Sequence, residues 1–244
     1  MLFRIARSRK GGGITHYDLY KVDSFKGMTV LDALFQIQDS MDESLSFRYS
    51  CRGAVCGSCA MLIDKVPRLA CRTQVNTIKD SGVELRGPFS PIASVPLGWN
   101  SEEEILIEPL PNLRILKDLV VDMNAFYNAL KIMELWVEPP DDEEPRLQKP
   151  EERKRIDRYV NCIMCALCYG SCPINERKKE YIGPAALAKA YRFYEDSRID
   201  ERNRFLNAAK APNGAPLCEL VMNCVRVCPK GVAPGGAIRK IKNL

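Results

Sequence analysis

The sequence predicts an α+β chain: a small part of strands and one helix over residues 1–105, then an all-helical part over residues 106–244. Three observations predict it. Residues 2–10 and 15–23 alternate apolar and polar around Gly11, Gly12 and Gly13, the pattern of a β-hairpin. Later stretches, above all Pro184–Tyr194, have helical composition and spacing instead. Eleven cysteines fall into three tight groups, one in the first part and two in the second.

After the hairpin, Thr29-Val-Leu-Asp32 reads as a helix start, with Asp32 in place of the usual Glu or Gln of a capping box. Leu31, Leu34, Ile37 and Met41 line one face behind it. Two strands, a helix and further short strands follow the order of a β-grasp fold. The three glycines are no phosphate loop, because neither a helix start nor a lysine follows them. His16, the single histidine, reads as a surface strand residue.

The first cysteine group is Cys51, Cys56, Cys59 and Cys71, spaced C-x4-C-x2-C, then eleven residues, then C. That is the plant-type [2Fe-2S] pattern. Four thiolates must converge on a small rhomb, so the loop has to wrap tightly. Gly53 and Gly57 permit unusual φ values and let backbone N–H groups approach the cluster sulfides. The gap before Cys71 suits a hairpin with Asp64 and Lys65 at its turn. Zinc is the alternative, but structural zinc sites usually join two C-x2-C knuckles. Val83–Arg86 is expected to form the strand that closes this domain.

Pro88, Pro91, Pro96, Pro109 and Pro111 mark residues 88–114 as a connector leaving the sheet. A helix is expected from Lys117 to Met133, with Leu119, Val120, Met123, Phe126, Tyr127, Leu130 and Met133 on one broad face. The acidic proline run Glu138–Pro145 ends it as an exposed loop. Glu151–Arg158, rich in both signs, reads as a solvated helix face leading into the next cysteines.

The second group, Cys162, Cys165, Cys168 and Cys172 followed by Pro173, is an intact C-x2-C-x2-C-x3-C-P run. The third, Cys218, Cys224 and Cys228 followed by Pro229, is the same run with Val221 in place of its second cysteine. In paired runs the fourth cysteine of each ligates the other run's cluster. Cys162, Cys165, Cys168 and Cys228 are therefore assigned to a [4Fe-4S] cluster. Cys172, Cys218 and Cys224 remain, three thiolates for a cubane that most simply lacks its fourth iron, a [3Fe-4S] cluster. Helices are expected between the runs over residues 184–194 and 201–210. The chain thus reads as an N-terminal β-grasp plant-type [2Fe-2S] ferredoxin domain followed by an all-α bacterial-type two-cluster ferredoxin domain.

Composition excludes several other classes. With 46% hydrophobic and 27% charged residues the chain is ordinary for a globular protein. An odd number of closely spaced cysteines argues against a disulfide framework and for metal ligation. No apolar run approaches the ~20 residues of a spanning helix. The N-terminus also lacks the apolar core of a secretory signal, so a cytoplasmic setting is expected. The net charge of +5 is spread out, with no basic run interleaved with aromatics, so no nucleic-acid partner is expected. One histidine excludes bis-histidine haem ligation and makes a catalytic triad unexpected. With no dinucleotide fingerprint and no acid–base constellation, no catalytic residue is assigned, and the chemistry at both ends of a relay is left to other subunits.

The order of the three groups and the valine gap resemble the iron–sulfur subunit of the succinate dehydrogenase and fumarate reductase family. So do Cys56-Gly-Ser-Cys59, Leu69-Ala-Cys-Arg-Thr73, Lys117-Asp-Leu-Val-Val-Asp-Met123, Tyr181-Ile-Gly-Pro-Ala-Ala186 and Asn223-Cys-x3-Cys-Pro-Lys-Gly231. The resemblance covers essentially the whole chain. Four cysteines at the [2Fe-2S] positions, with Val66-Pro-Arg-Leu-Ala-Cys71, lean towards the fumarate reductase side.

The resemblance implies docking on a flavoprotein subunit that holds FAD covalently and carries the dicarboxylate site. Electrons would then pass through [2Fe-2S], [4Fe-4S] and [3Fe-4S] clusters to a quinone. A membrane anchor, a cytochrome b or other hydrophobic subunits, would hold the chain peripherally on the cytoplasmic side of the cell membrane. Quinone-proximal positions implied by the resemblance are Pro173, Ile174, Glu219, Val221 and Lys242. Two departures stand out: Asn175-Glu176-Arg177 where many succinate dehydrogenases carry tryptophans, and Glu219 where histidine is frequent. A tryptophan-bound quinone is therefore not implied. Arg226, Lys230, Arg239, Lys240 and Lys242 make the tail basic, which suits an anionic leaflet or a helix C-terminus equally. A second interpretation, from another class, is an autonomous multi-cluster ferredoxin-type electron carrier.

Overall fold

The computed structural model describes residues 1–9, 11–80, 82–86, 94–137 and 145–244. Strands β1 (Leu2–Ser8) and β2 (Ile14–Lys21) pair antiparallel, as the alternation requires. β1 buries Phe3 and Ile5 completely, while β2 is a largely exposed sheet edge. Helix α1 (Val30–Ser40) begins with the expected capping box. Asp32 N–H donates to Thr29 Oγ1 at 3.2 Å, and Thr29 N–H donates to Asp32 Oδ2 at 2.9 Å. Leu31, Leu34 and Ile37 are buried, whereas Met41 falls just past the helix end and is 45% exposed. Strands β3 (Ala60–Ile63) and β4 (Val66–Leu69) form the expected hairpin. Its turn residues, Asp64 and Lys65, both hold the positive φ of a type I′ turn.

The sheet is mixed, in the order β2-β1-β5-β3-β4. Its middle strand is β5 (Glu104–Glu108), parallel to β1 and antiparallel to β3. This corrects two expectations. Val83–Arg86 forms no strand, and residues 104–108 are not part of a connector. A central strand buried on both faces shows an apolar run rather than alternation, and here Pro109 and Pro111 end the strand rather than exclude it. The expected boundary between residues 105 and 106 falls inside β5. Pro88, Pro91 and nearly all of the acidic proline run lie outside the described residues.

A third correction concerns the helix expected over 117–133. Helix α2 (Asn124–Ile132) starts only after a small hairpin of β6 (Ile115–Lys117) and β7 (Val120–Val121). Asp118 turns the chain at φ +48°. Its buried carboxylate accepts from Ser8 N–H at 3.0 Å and Ser46 N–H at 3.1 Å, so tertiary bonds override helix periodicity. The valine pair that follows favours a strand.

From Asn124 onward the described residues form helices and turns alone. These are α3 (Pro150–Val160), α4 (Leu167–Gly170), α5 (Pro173–Arg177), α6 (Pro184–Glu195), α7 (Asn203–Ala209), α8 (Asn223–Arg226) and α9 (Pro234–Asn243). Pro150, Pro173, Pro184 and Pro234 open their helices, where a missing N–H removes no bond. One apolar core holds the sheet and α1 and continues into Ala166, Leu167, Tyr169 and Val227. The other gathers Leu187, Ala190, Phe205, Ile238 and Ile241 around α6. Both cysteine runs of the helical part therefore lie along a packed seam.

Candidate metal centres

The first cysteine loop curls because Arg52, Ala54 and Gly57 hold φ values of +54°, +55° and +75°. Gly53, expected to supply part of that curl, does not take a positive φ; its two neighbours do. The curl aims donors inward. Gly53, Val55 and Cys56 N–H donate to Cys51 Sγ at 3.4, 3.2 and 3.2 Å, and Cys51 and Ser58 N–H donate to Cys56 Sγ at 3.5 Å. From beyond β4, Cys71 N–H donates to Cys59 Sγ at 3.5 Å. Loop and hairpin thus bring Cys51, Cys56, Cys59 and Cys71 together. Burial opposes ionisation of Cys56, but the bonds from Ser58 and the backbone outweigh it and take this thiol down to about 6. Burial pushes Cys59 up to about 12. Arg52 braces the loop on α1 by lying over the Phe35 ring, 4.8 Å from its centroid.

Gly57 also faces the helical part. A β-carbon there would lie 2.8 Å from Cα and Cβ of Cys165 and 3.0 Å from the Ile163 carbonyl oxygen. The first cysteine loop therefore rests directly on the second run.

The two runs of the helical part repeat one backbone design. Met164 and Ala166 hold positive φ and lead into α4; Leu220 and Met222 hold positive φ and lead into α8. In this repeat Cys162, Cys165, Cys168 and Cys172 correspond to Cys218, Val221, Cys224 and Cys228. Each run crosses to the other. Cys162, Cys165, Cys168 and Cys228 line one cavity with Phe126, Leu167, Ala185 and Val232. Cys172, Cys218 and Cys224 line another, and Val221 stands on its wall where the repeat would place a fourth thiol. Burial pushes Cys165 and Cys224 up to about 12 and Cys172 to about 11, and raises Cys168 well above the ordinary thiol range. A cysteine ligates as the thiolate, so metal binding displaces these protons. Among the described residues, no group of three or more His, Cys, Asp or Glu is placed to hold a single metal ion. Cluster ligands stand apart around irons and sulfides, and four thiols in one cavity with three in the next fit that chemistry.

The remaining residues implied by resemblance gather at the three-cysteine cavity. Pro173, Ile174 and Glu219 line it. Lys242 Nζ reaches from α9 to donate to the Cys218 carbonyl at 2.7 Å. Arg177 and Glu219 form an ion pair at 2.8 Å, about half exposed.

Sequence reasoning missed two residues here. Asn223 is buried and bridges the parts: its side chain accepts from Arg86 N–H at 2.9 Å and donates to the Arg86 and Ser171 carbonyls at 2.9 and 3.2 Å. Tyr181 packs against the three-cysteine cavity with only 2% of its surface exposed. Both stood in quoted motifs, but nothing local showed what they touch.

Residues 2–128 match the family described as the 2Fe-2S iron-sulfur cluster binding domain. The chain belongs to that family. Residues 159–232 match the 4Fe-4S dicluster domain, so both cluster-domain types are present in one chain. A relative from Arabidopsis thaliana is succinate dehydrogenase (ubiquinone) iron-sulfur subunit 3, mitochondrial. It is 38% identical over 222 residues, which cover 89% of this chain and 65% of that relative. The resemblance carried by the motifs is thus borne out along most of the chain, which spans just under two thirds of the relative's length. A solved chain from the Mycobacterium smegmatis Sdh1 complex in the apo form shares the fold. Its TM-score is 0.82 at 23% identity, over 99% of this chain and 93% of that one.

Proposed function

We propose that this chain is the iron–sulfur subunit of a succinate dehydrogenase or fumarate reductase. It relays electrons between an FAD- and dicarboxylate-binding flavoprotein subunit and a membrane quinone. The ligand sets are Cys51, Cys56, Cys59 and Cys71 for [2Fe-2S]; Cys162, Cys165, Cys168 and Cys228 for [4Fe-4S]; and Cys172, Cys218 and Cys224 for [3Fe-4S]. One observation carries this: the three constellations are contiguous. Gly57 rests on Cys165, and α4, which carries Cys168, packs against α8, which carries Cys224.

The bound clusters supply one-electron redox chemistry, at potentials set by cluster type, charge and hydrogen bonding. The chain does the rest. Backbone N–H groups aimed at Cys51 and Cys56 stabilise thiolate charge. Apolar residues around the two helical cavities exclude water. Exposed Cys51, Cys56 and Val55 mark the end that meets the flavoprotein subunit. Pro173, Ile174, Glu219, Val221 and Lys242 mark the end that meets the quinone and the membrane anchor. Among the described residues no helix is long and apolar enough to cross a membrane, so membrane attachment is assigned to the anchor subunit. With this division, the [2Fe-2S] domain continues past β5 before the two-cluster domain begins.

Low-temperature EPR of the anaerobically prepared protein tests the relay. The expected result is a three-iron signal when oxidised, joined by [2Fe-2S] and [4Fe-4S] signals on reduction. An EPR-silent oxidised sample with two four-iron centres on reduction would instead favour an autonomous two-domain ferredoxin.

A further inference from the structure

Tyr181 sits between α5 and α6 with its backbone fixed on both sides. Its N–H donates to the Lys178 carbonyl at 3.0 Å, and its carbonyl accepts from Asn175 Nδ2 at 3.1 Å. Its hydroxyl is buried and makes no aligned hydrogen bond to the protein. Leaving a buried hydroxyl unpaired is unfavourable, and a phenylalanine would fill the same space without that penalty. The side chain lines the cavity of Cys172, Cys218 and Cys224, and Cys218 is the thiol it lies beside.

We infer that the Tyr181 hydroxyl is a hydrogen-bond donor to the cluster held by Cys172, Cys218 and Cys224, given to Cys218 Sγ or to an inorganic sulfide next to it. This rests on the cluster assignment proposed above. A tyrosine keeps its proton at neutral pH. When the cluster takes up one electron, its net charge becomes more negative by one. No bond forms or breaks, and the proton stays on the phenol oxygen. A donor in a water-poor cavity stabilises the reduced state more than the oxidised one, and so raises the reduction potential. Tyr181 therefore favours the three-cysteine cluster as the place where an electron comes to rest before leaving the chain.

The test is Tyr181→Phe in the full chain with clusters loaded, read by an EPR-monitored redox titration. The three-iron signal should persist, and its oxidised-to-reduced ratio at a fixed potential should rise about tenfold, a drop of ~59 mV for one electron. The [2Fe-2S] and [4Fe-4S] midpoints should not move. Loading in D2O adds a second readout: an exchangeable proton coupled to the three-iron signal in the unmutated chain and missing from the variant. A persisting three-iron signal with an unmoved midpoint would overturn this inference alone. Absence of any three-iron signal in the unmutated chain would overturn the cluster assignment, and the inference with it.

Discussion

Replacing Gly57 by alanine perturbs the contact that joins the first cluster loop to the second. At φ +75° an L-residue costs roughly 1–2 kcal/mol in backbone strain. The added carbon would also stand 2.8 Å from Cα and Cβ of Cys165 and 3.0 Å from the Ile163 carbonyl oxygen. No rotamer change moves those atoms, so overpacking adds about 1–3 kcal/mol. Gly27 is the control, with φ +84° and nothing within 4 Å of an added carbon. Gly27→Ala should show the strain alone, ~1–2 kcal/mol, and Gly57→Ala roughly 2–5 kcal/mol. A loss of that size is at or below the ~5–15 kcal/mol stability of a typical domain. Denaturant unfolding of both variants with clusters loaded measures the difference. Freeze-quench EPR then follows electron passage from [2Fe-2S] to [4Fe-4S], which should slow because tunnelling falls steeply as the gap widens. Equal destabilisation by the two substitutions would refute the tight contact. Normal transfer despite the expected extra destabilisation would refute its part in the relay.

Val221→Cys should let the three-cysteine site take a fourth iron, seen as one more iron per chain and loss of the oxidised three-iron signal; an unchanged signal would mean the gap is not what selects three irons. Cys71→Ala should abolish only the [2Fe-2S] signal, and loss of a cubane signal instead would break the division of ligands. Lys65→Met leaves Glu108 buried and uncompensated, its partner at 2.5 Å gone, and should cost about 3–5 kcal/mol in chemical unfolding. Adding Glu108→Met should recover most of that loss, less the bond from the Tyr17 hydroxyl at 2.7 Å.

The cysteine groups were legible because ligand spacing is a local constraint: a loop must wrap its cluster whatever the rest of the chain does. The Thr29 cap and the Asp64-Lys65 turn were legible for the same reason, each being decided within four residues or fewer. What sequence reasoning missed was decided at a distance. β5 carries no alternation because both its faces are covered, so its apolar run between prolines looked like a connector. Leu119 and Val120 keep helical spacing with Phe126, yet the bonds of Asp118 to Ser8 and Ser46 claim them for the β6–β7 hairpin region. Asn223 reaches Arg86 across 137 residues and Ser171 across 52, and no local pattern encodes either contact. Gly57 was assigned a role towards its own cluster, and only the fold shows that its other side touches Cys165.

Acid should expose how the segment entering Cys51 is anchored. Asp42, just after α1, accepts from the Ser44 hydroxyl at 2.6 Å, the Ser44 N–H at 2.9 Å, the Tyr20 hydroxyl at 2.7 Å and the Arg7 guanidinium. Arg7 itself is buried in β1 and also meets Asp18 at 3.1 Å and Asp118 at 3.3 Å. The Ser44 hydroxyl, then Arg7, hold the Asp42 carboxyl well below the usual carboxylate range, while burial opposes them. A carboxyl depressed in the folded state contributes stability above its unfolded pKa of about 3.9, and that contribution is lost as pH falls towards the folded value. Asp42→Asn should therefore cost about 1.5 kcal/mol at pH 7, the low end for bonds to a charge, since 23% of the side chain stays exposed. Below pH ~4 the unfolded chain takes up a proton on this carboxyl while the folded one stays ionised, so the difference between the two proteins should shrink progressively as pH falls towards the folded value. Unfolding midpoints compared between them at each pH cancel the acid lability that their clusters share. A gap that stayed constant down to pH ~2 would show that packing, not the charge on Asp42, anchors this segment to β1.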